Sequence, residues 1–298
     1  KRNDSCQELI AELKQWNPDI ILFQHEFGLW KARPWISMMN QLSQYRVIVT
    51  MHSVFHHRDK MIVEASMPEI IVHLEGARNV LKGEKELSQP VHVIPHGCFS
   101  CTDRSRLWNF YQSEHTFMTA GFLFRYKNFE NSIRAAAILK EKYPDVYFTG
   151  ICSESPHASV EHESYYQDLM ELVEHLGLQE NVGLIRGFQS ESVLDAYLRT
   201  NKAAVFPYVS KGEHECFGAS GAAPYSMSRA IPLVTSSAHH FHSLPTLKAD
   251  SPEEIAQQLD FLFSDAKKSE EQVEKQCRYL EENSWENVAK KYVAIFCD

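Results

Sequence analysis

Four segments in the first hundred residues are apolar almost from end to end. Asp19–Phe23 runs into Gln24-His25-Glu26, and Arg46–Met51, Glu69–Val72 and Val91–Ile94 repeat the pattern, separated by helical or irregular sequence. A strand with one wet face alternates apolar and polar residues. Strands without that alternation are covered on both faces, which calls for a parallel sheet between two layers of helices.

The pattern restarts in the second half. Phe117–Ala120, Val146–Thr149, Val182–Ile185, Ala203–Phe206 and Leu233–Thr235 read as further buried strands. Helices are predicted between them at Asn131–Lys142, about Tyr165–Leu176 (closed by Gly177), Ser192–Leu198 and Ala222–Arg229. Ser251-Pro-Glu-Glu has the form of a helix start, Ser5-Cys6-Gln7-Glu8 that of a capping box, and Trp285–Phe296 carries Val288, Tyr292 and Ile295 on one helical face. The chain is therefore read as two βα sheets in series. Residues 1–110 form a first domain, 111–282 a second, and the 283–298 helix crosses back to the first. At 298 residues, 44% hydrophobic, it has the material for two cores. It opens with a helix where a nucleotide-binding α/β domain opens with a strand and a Gly-rich loop. The first sheet is accordingly expected to be N-terminally incomplete, with fewer strands than the second and a separate N-terminal segment or subunit as a candidate partner.

A formal charge of -9 argues against a broad basic face for duplex nucleic acid or an anionic membrane. No apolar run approaches the ~18 residues of a membrane span, and the first residues lack a signal-like apolar core. The seven cysteines, odd in number and scattered, read as free thiols in a reducing, cytoplasmic setting. Cys98-Phe99-Ser100-Cys101 is a CxxC with no second pair to complete a zinc site. His56-His57 and His239-His240-x-His242 lack acidic partners at metal-binding spacing and are read as loop polarity, so no metal is expected.

Ligands of open parallel sheets sit beyond the carboxyl ends of the strands. Those ends carry His25-Glu26, His52-Ser53, His96-Gly97, Gly121, Gly150, Gly187-Phe188, Pro207-Tyr208 and Ser236-Ser237. Arg125-Tyr126-Lys127 places two cations on a loop after the Gly121 strand, a combination suited to a diphosphate. Phe217-Gly-Ala-Ser-Gly221 leads small residues into the helix at Ala222, where backbone N–H groups can meet a phosphate.

QHEFG at 24–28, TMH at 50–52, VIPHG at 93–97, GFLFRYKN at 121–128, FPY at 206–208, ECFG at 215–218 and SG…Y at 220–225 together resemble the family 4 retaining glycosyltransferases. The resemblance implies the GT-B fold, two Rossmann-like parallel-sheet domains facing a cleft. It implies a donor nucleotide sugar around Arg125, Lys127, Gly187, Phe188, Ser220, Gly221 and Tyr225. His25, Glu26 and His52 would lie on the acceptor side, with His52 matching the family histidine near the reacting bond. Glu215 matches the first Glu of the family's E-x7-E motif. Tyr225 stands where the ribose-binding second Glu is expected, two residues further along. The implied activity is metal-independent hexosyl or pentosyl transfer, without a cofactor beyond the donor, to an acceptor (glycan, small molecule, protein or nucleic acid) that the sequence does not name. The alternatives are another GT-B chemistry, such as a sugar epimerase, and a catalytically silent nucleotide-sugar-binding subunit.

Overall fold

The computed structural model describes residues 6–56, 62, 64–65, 69–102, 114–154, 159–210 and 215–297. Ser5 of the expected capping box, His57 and most of the expected interdomain boundary lie outside them. Two compact units are present: Lys1–Gly97 with Ser210–Ala219 and Trp285–Asp298, and Cys98–Val209 with Ser220–Ser284.

The first unit holds a parallel sheet of β1 (Ile20–His25), β2 (Arg46–Met51), β3 (Glu69–Val72) and β4 (Val91–Val93), in that order. Both faces of β2 and β3 are covered, as uniformly apolar strands require, whereas the edge strand β1 buries only alternate residues. On one face Phe23, Val47, Val49 and Ile70 pack against α1 (Gln7–Trp16) and α2 (Ala32–Gln41), with Trp35 of α2 wholly buried. On the other, Ile48, Ile71 and Ile94 meet Val288 and Ile295 of the C-terminal helix. Arg46 secures that helix by donating to the Ile295 and Phe296 carbonyls. A short helix, α3 (Glu75–Asn79), follows β3.

The second unit has six parallel strands, β5 (Thr116–Phe122), β6 (Tyr147–Ser153), β7 (Val182–Arg186), β8 (Ala203–Phe206), β9 (Leu233–Thr235) and β10 (Leu247–Lys248), in the order β10-β9-β8-β5-β6-β7. Among the described residues the first sheet thus has fewer strands than the second, as expected from the sequence. The helices α4 (Phe129–Lys140), α5 (Ser159–His175) and α8 (Pro252–Ser264) pack on the face of Phe117, Phe148 and Val205. The opposite face, with Met118, Ala204 and Phe206, meets α6 (Glu191–Thr200), α7 (Ala222–Met227) and Leu280 of α9 (Ala266–Glu282). The last helix, α10, is Trp285–Cys297. Ser251 caps α8 by accepting from the Glu254 amide, with Pro252 at the first helical position. Gly177 ends α5 at φ +63°, a left-handed conformation that costs glycine little.

One expectation is corrected. Cys101 and Cys277 form a disulfide, so the cysteines are not all thiols and they no longer argue for a reducing compartment. Scattered spacing hid the pair because its 176-residue separation is closed only by the fold. Among the described residues no helix is long and apolar enough to cross a membrane.

Candidate active site

Strand register brings together the histidines of the first unit. His25, Met51, Val72 and Val93 share one rung of the sheet, so the residues that follow β2, β3 and β4 emerge side by side. Those residues are His52, His73 and Ile94, with His96 two further on. The His52 and His73 ring centroids are 5.0 Å apart, and His73 and His96 are separated by 5.2 Å. His73 Nδ1 lies 2.9 Å from the Ile94 carbonyl and its Nε2 3.3 Å from His52 Nδ1; His52 Nε2 lies 2.8 Å from the Gln24 side-chain oxygen. Burial, then the neighbouring His96, lowers His52 from its usual proton affinity, with Glu26 opposing. Burial is also the main cause that takes His73 down to about 4.

These histidines border a cavity of about 560 Å³ whose other walls are chiefly apolar, including Leu22, Trp285, Tyr292 and Phe296. Trp285 seals its rim against Gly97, where an added Cβ would fall 2.1 Å from the indole. Glu26 is held in place: its carboxylate accepts from the Phe27 amide at 2.8 Å and from the Ser53 hydroxyl at 2.9 Å. The ECFG segment docks beside the same loop. The Phe217 amide donates to the Val54 carbonyl, and Glu215 pairs with His56 at 3.0 Å. Gly218 lies so close that a Cβ would sit 2.7 Å from the His52 carbonyl oxygen. His52, Glu26 and Glu215 are therefore carried on adjoining segments.

His25 is not among them. The sequence reading turned it toward a ligand crevice, but it is 1% exposed and stands edge-on to Phe27 and Trp35. Among the described residues neither of its ring nitrogens has a hydrogen-bond partner. Burial, with His52 as the lesser cause, lowers it to about 4, so it is a neutral core side chain.

In the second unit the two cations of the expected diphosphate loop part company. Arg125, Tyr126 and Lys127 form a single 3₁₀ turn, fixed by Asn128 in the left-handed region (φ 55°) donating to the Pro207 carbonyl. The Lys127 ammonium lies 3.7 Å from the ring centroid of buried Tyr208, and its stem runs past Gly121 at the end of β5. His240, stacked near Tyr126 and held at about 4 first by burial and then by Lys127, completes the aromatic surround. Arg125 instead turns to α5, where Asp168 accepts from it at 2.5 Å in an exposed pair.

Ser220, one residue before the Gly221 N-cap of the six-residue α7, accepts from the Ala223 amide at 3.3 Å. Tyr225 accepts from Arg229 at 3.1 Å and donates to the exposed Glu191 carboxylate at 3.4 Å. Gly187 takes φ +95° as the chain leaves β7, a value only glycine adopts readily, and Phe188 after it is 79% exposed. Among the described residues no group of three or more His, Cys, Asp or Glu side chains is placed to hold a metal ion.

Sequence reading missed His73, although its signal matched that of His52: a histidine directly after an apolar strand. It also missed Gln24 as a partner of His52 and His240 beside Lys127, both of which depend on side-chain direction.

No family model matches the chain, and no curated protein does. Solved structures match it well. An α,α-trehalose-phosphate synthase (UDP-forming) from Burkholderia xenovorans, in complex with glucose-6-phosphate, aligns at TM-score 0.79 and 14% identity over 98% of this chain and 77% of that one. HepE from Anabaena, in complex with UDP, aligns at 0.78 and 12% over 99% and 84%. A glycosyltransferase from Rickettsia africae aligns at 0.77 and 12% over 98% and 79%. The two-sheet fold of this chain is that of solved GT-B glycosyltransferases.

Proposed function

We propose that the chain is a glycosyltransferase that moves a sugar from a nucleoside-diphosphate sugar, with a uridine nucleotide the first to test, to an acceptor. The observation that carries this reading is the His52–His73–His96 cluster at the carboxyl ends of adjacent strands, in a fold shared with structures that hold UDP. Strand ends in parallel sheets are where ligands bind. Family 4 membership rests on the motifs from QHEFG to SG…Y. Retention of configuration and metal independence belong to the same proposal.

Lys127, its ammonium resting on Tyr208, offers positive charge to a departing diphosphate, where negative charge develops as the glycosidic bond breaks. Gly187 and Phe188 offer a backbone turn and an exposed aromatic face to the base. His52 offers a polar ring nitrogen to the reacting sugar and acceptor. Attack on the face the leaving group departs from would retain configuration without a carboxylate nucleophile.

The test is release of nucleoside diphosphate from a panel of labelled nucleotide sugars. The expected result is release by wild type and at least ~10²-fold less by His52→Ala at unchanged melting temperature. Release that is equal in both proteins removes His52 from the chemistry. Donor binding without any release favours the silent-subunit reading, for which Tyr225 at the expected ribose-glutamate position is the specific support.

A further inference from the structure

We infer that His73 is a positioning residue for His52, fixing its proton on Nδ1 so that Nε2 is the nitrogen presented for chemistry. The Ile94 carbonyl can only accept, so His73 Nδ1, 2.9 Å away, carries a proton. That peptide is itself fixed, because the Ile94 amide donates to the Val72 carbonyl at 2.9 Å. His73 is buried and neutral, which leaves a lone pair on its Nε2. The atom 3.3 Å from that lone pair, His52 Nδ1, must then be the donor.

The consequence lies at the other nitrogen. With Nδ1 protonated, neutral His52 has its lone pair on Nε2, so the Gln24 amide, placed with its oxygen 2.8 Å away, must turn its NH₂ to the ring. A glutamine amide can offer either its oxygen or its NH₂ by rotating half a turn. Gln24 can therefore donate to neutral His52 and accept from its cation, serving the ring on either side of a proton transfer. A free imidazole favours the Nε2–H form, and His73 opposes that preference. This role rests on the proposed part of His52 in glycosyl transfer, but the tautomer is a property of the resting protein.

Nitrogen-15 NMR of histidine-labelled full chain at pH 8, without substrate, reads the tautomer directly. The His52 signals are assigned by their loss in His52→Gln. Wild type is expected to show Nδ1–H at His52. His73→Phe keeps a ring but removes the acceptor, and should shift His52 toward Nε2–H. His73→Gln restores an acceptor near the Nε2 position and should restore the wild-type pattern. In the transfer assay His73→Phe should lower kcat at least about tenfold with little change in donor KM, and His73→Gln should recover most of it. Nε2–H at His52 in wild type overturns the inference even if no variant folds, and so does Nδ1–H that persists in His73→Phe. The expected tautomers in a protein that transfers no sugar would sustain the inference about the ring and sink only the proposed function.

Discussion

His25 offers a quantitative test of how the first unit responds to acid. Its ring is 1% exposed between Phe27 and Trp35, and burial lowers it from 6.5 to about 4. The unfolded chain binds a proton at His25 below pH 6.5, whereas the folded chain does so only near 4. Above pH 6.5 both forms are neutral and the site has no effect on stability. Between 6.5 and 4 the unfolded state binds more protons, so stability falls as the pH falls. At pH 5 the difference amounts to about 2 kcal/mol from this one ring, by linkage. His25→Leu removes the titration while keeping a buried side chain of similar volume. Its packing effect, about 1.5 kcal/mol or less in either direction, is the same at every pH and cancels from the comparison. Urea unfolding followed by tryptophan fluorescence is a suitable assay, because Trp16, Trp30, Trp35 and Trp285 all belong to the first unit. Wild type should lose about 2 kcal/mol more than His25→Leu between pH 7 and pH 5. Equal losses would show that His25 takes up its proton in the folded state near the ordinary value, and the burial argument would be wrong.

Three further outcomes follow from the geometry. Lys127→Ala should weaken nucleoside diphosphate binding by about 1.5–3 kcal/mol in chelator-containing calorimetry, whereas Arg125→Ala, which breaks an exposed pair with Asp168, should change it by less than about 0.5 kcal/mol. Equal losses would return Arg125 to the diphosphate. Gly97→Ala should lower stability by about 1–3 kcal/mol and shift Trp285 emission, since its Cβ would overlap the indole; an unchanged melting temperature would show that α10 gives way freely. Tyr225→Phe should raise the donor dissociation constant only a few-fold, about 0.5–1.5 kcal/mol for one neutral hydrogen bond, and a complete loss of binding would make the hydroxyl a principal contact.

The strands were legible because burial on both faces leaves a continuous apolar signature that little else produces. Arg46–Met51, Glu69–Val72, Ala203–Phe206 and Leu233–Thr235 have the bounds read from sequence. The long helix α9 escaped for a physical reason. Its buried stripe includes Ser269, Gln272 and Gln276 beside Val273 and Leu280, so the apolar residues at helical spacing are few and the segment is polar on average. Gln276 is buried because its amide does backbone work, accepting from the Leu233 amide and donating to the Ile231 carbonyl at the start of β9. That role depends on a partner more than forty residues away, and no local pattern encodes it.

The histidines show where strand-end reasoning needs a second rule. Position after an apolar strand identifies His25, His52 and His73 equally well, yet only the last two reach the cavity. Side chains alternate along a strand, so parity decides between them. In β1 the buried face carries Ile21, Phe23 and His25, and the other carries Leu22 and Gln24. Counting back from His25 in twos lands on two core residues, which already directs its ring into the core. Counting back from Gln24 lands on Leu22, which lines the cavity. For β2 and β3, apolar on both faces, parity alone is silent, and it is the shared register of Met51 and Val72 that sets His52 beside His73. Register is a property of paired strands and not of either sequence. The contact between two histidines twenty-one residues apart therefore becomes visible only once the sheet is built, and with it the route by which a backbone carbonyl fixes the proton of His52.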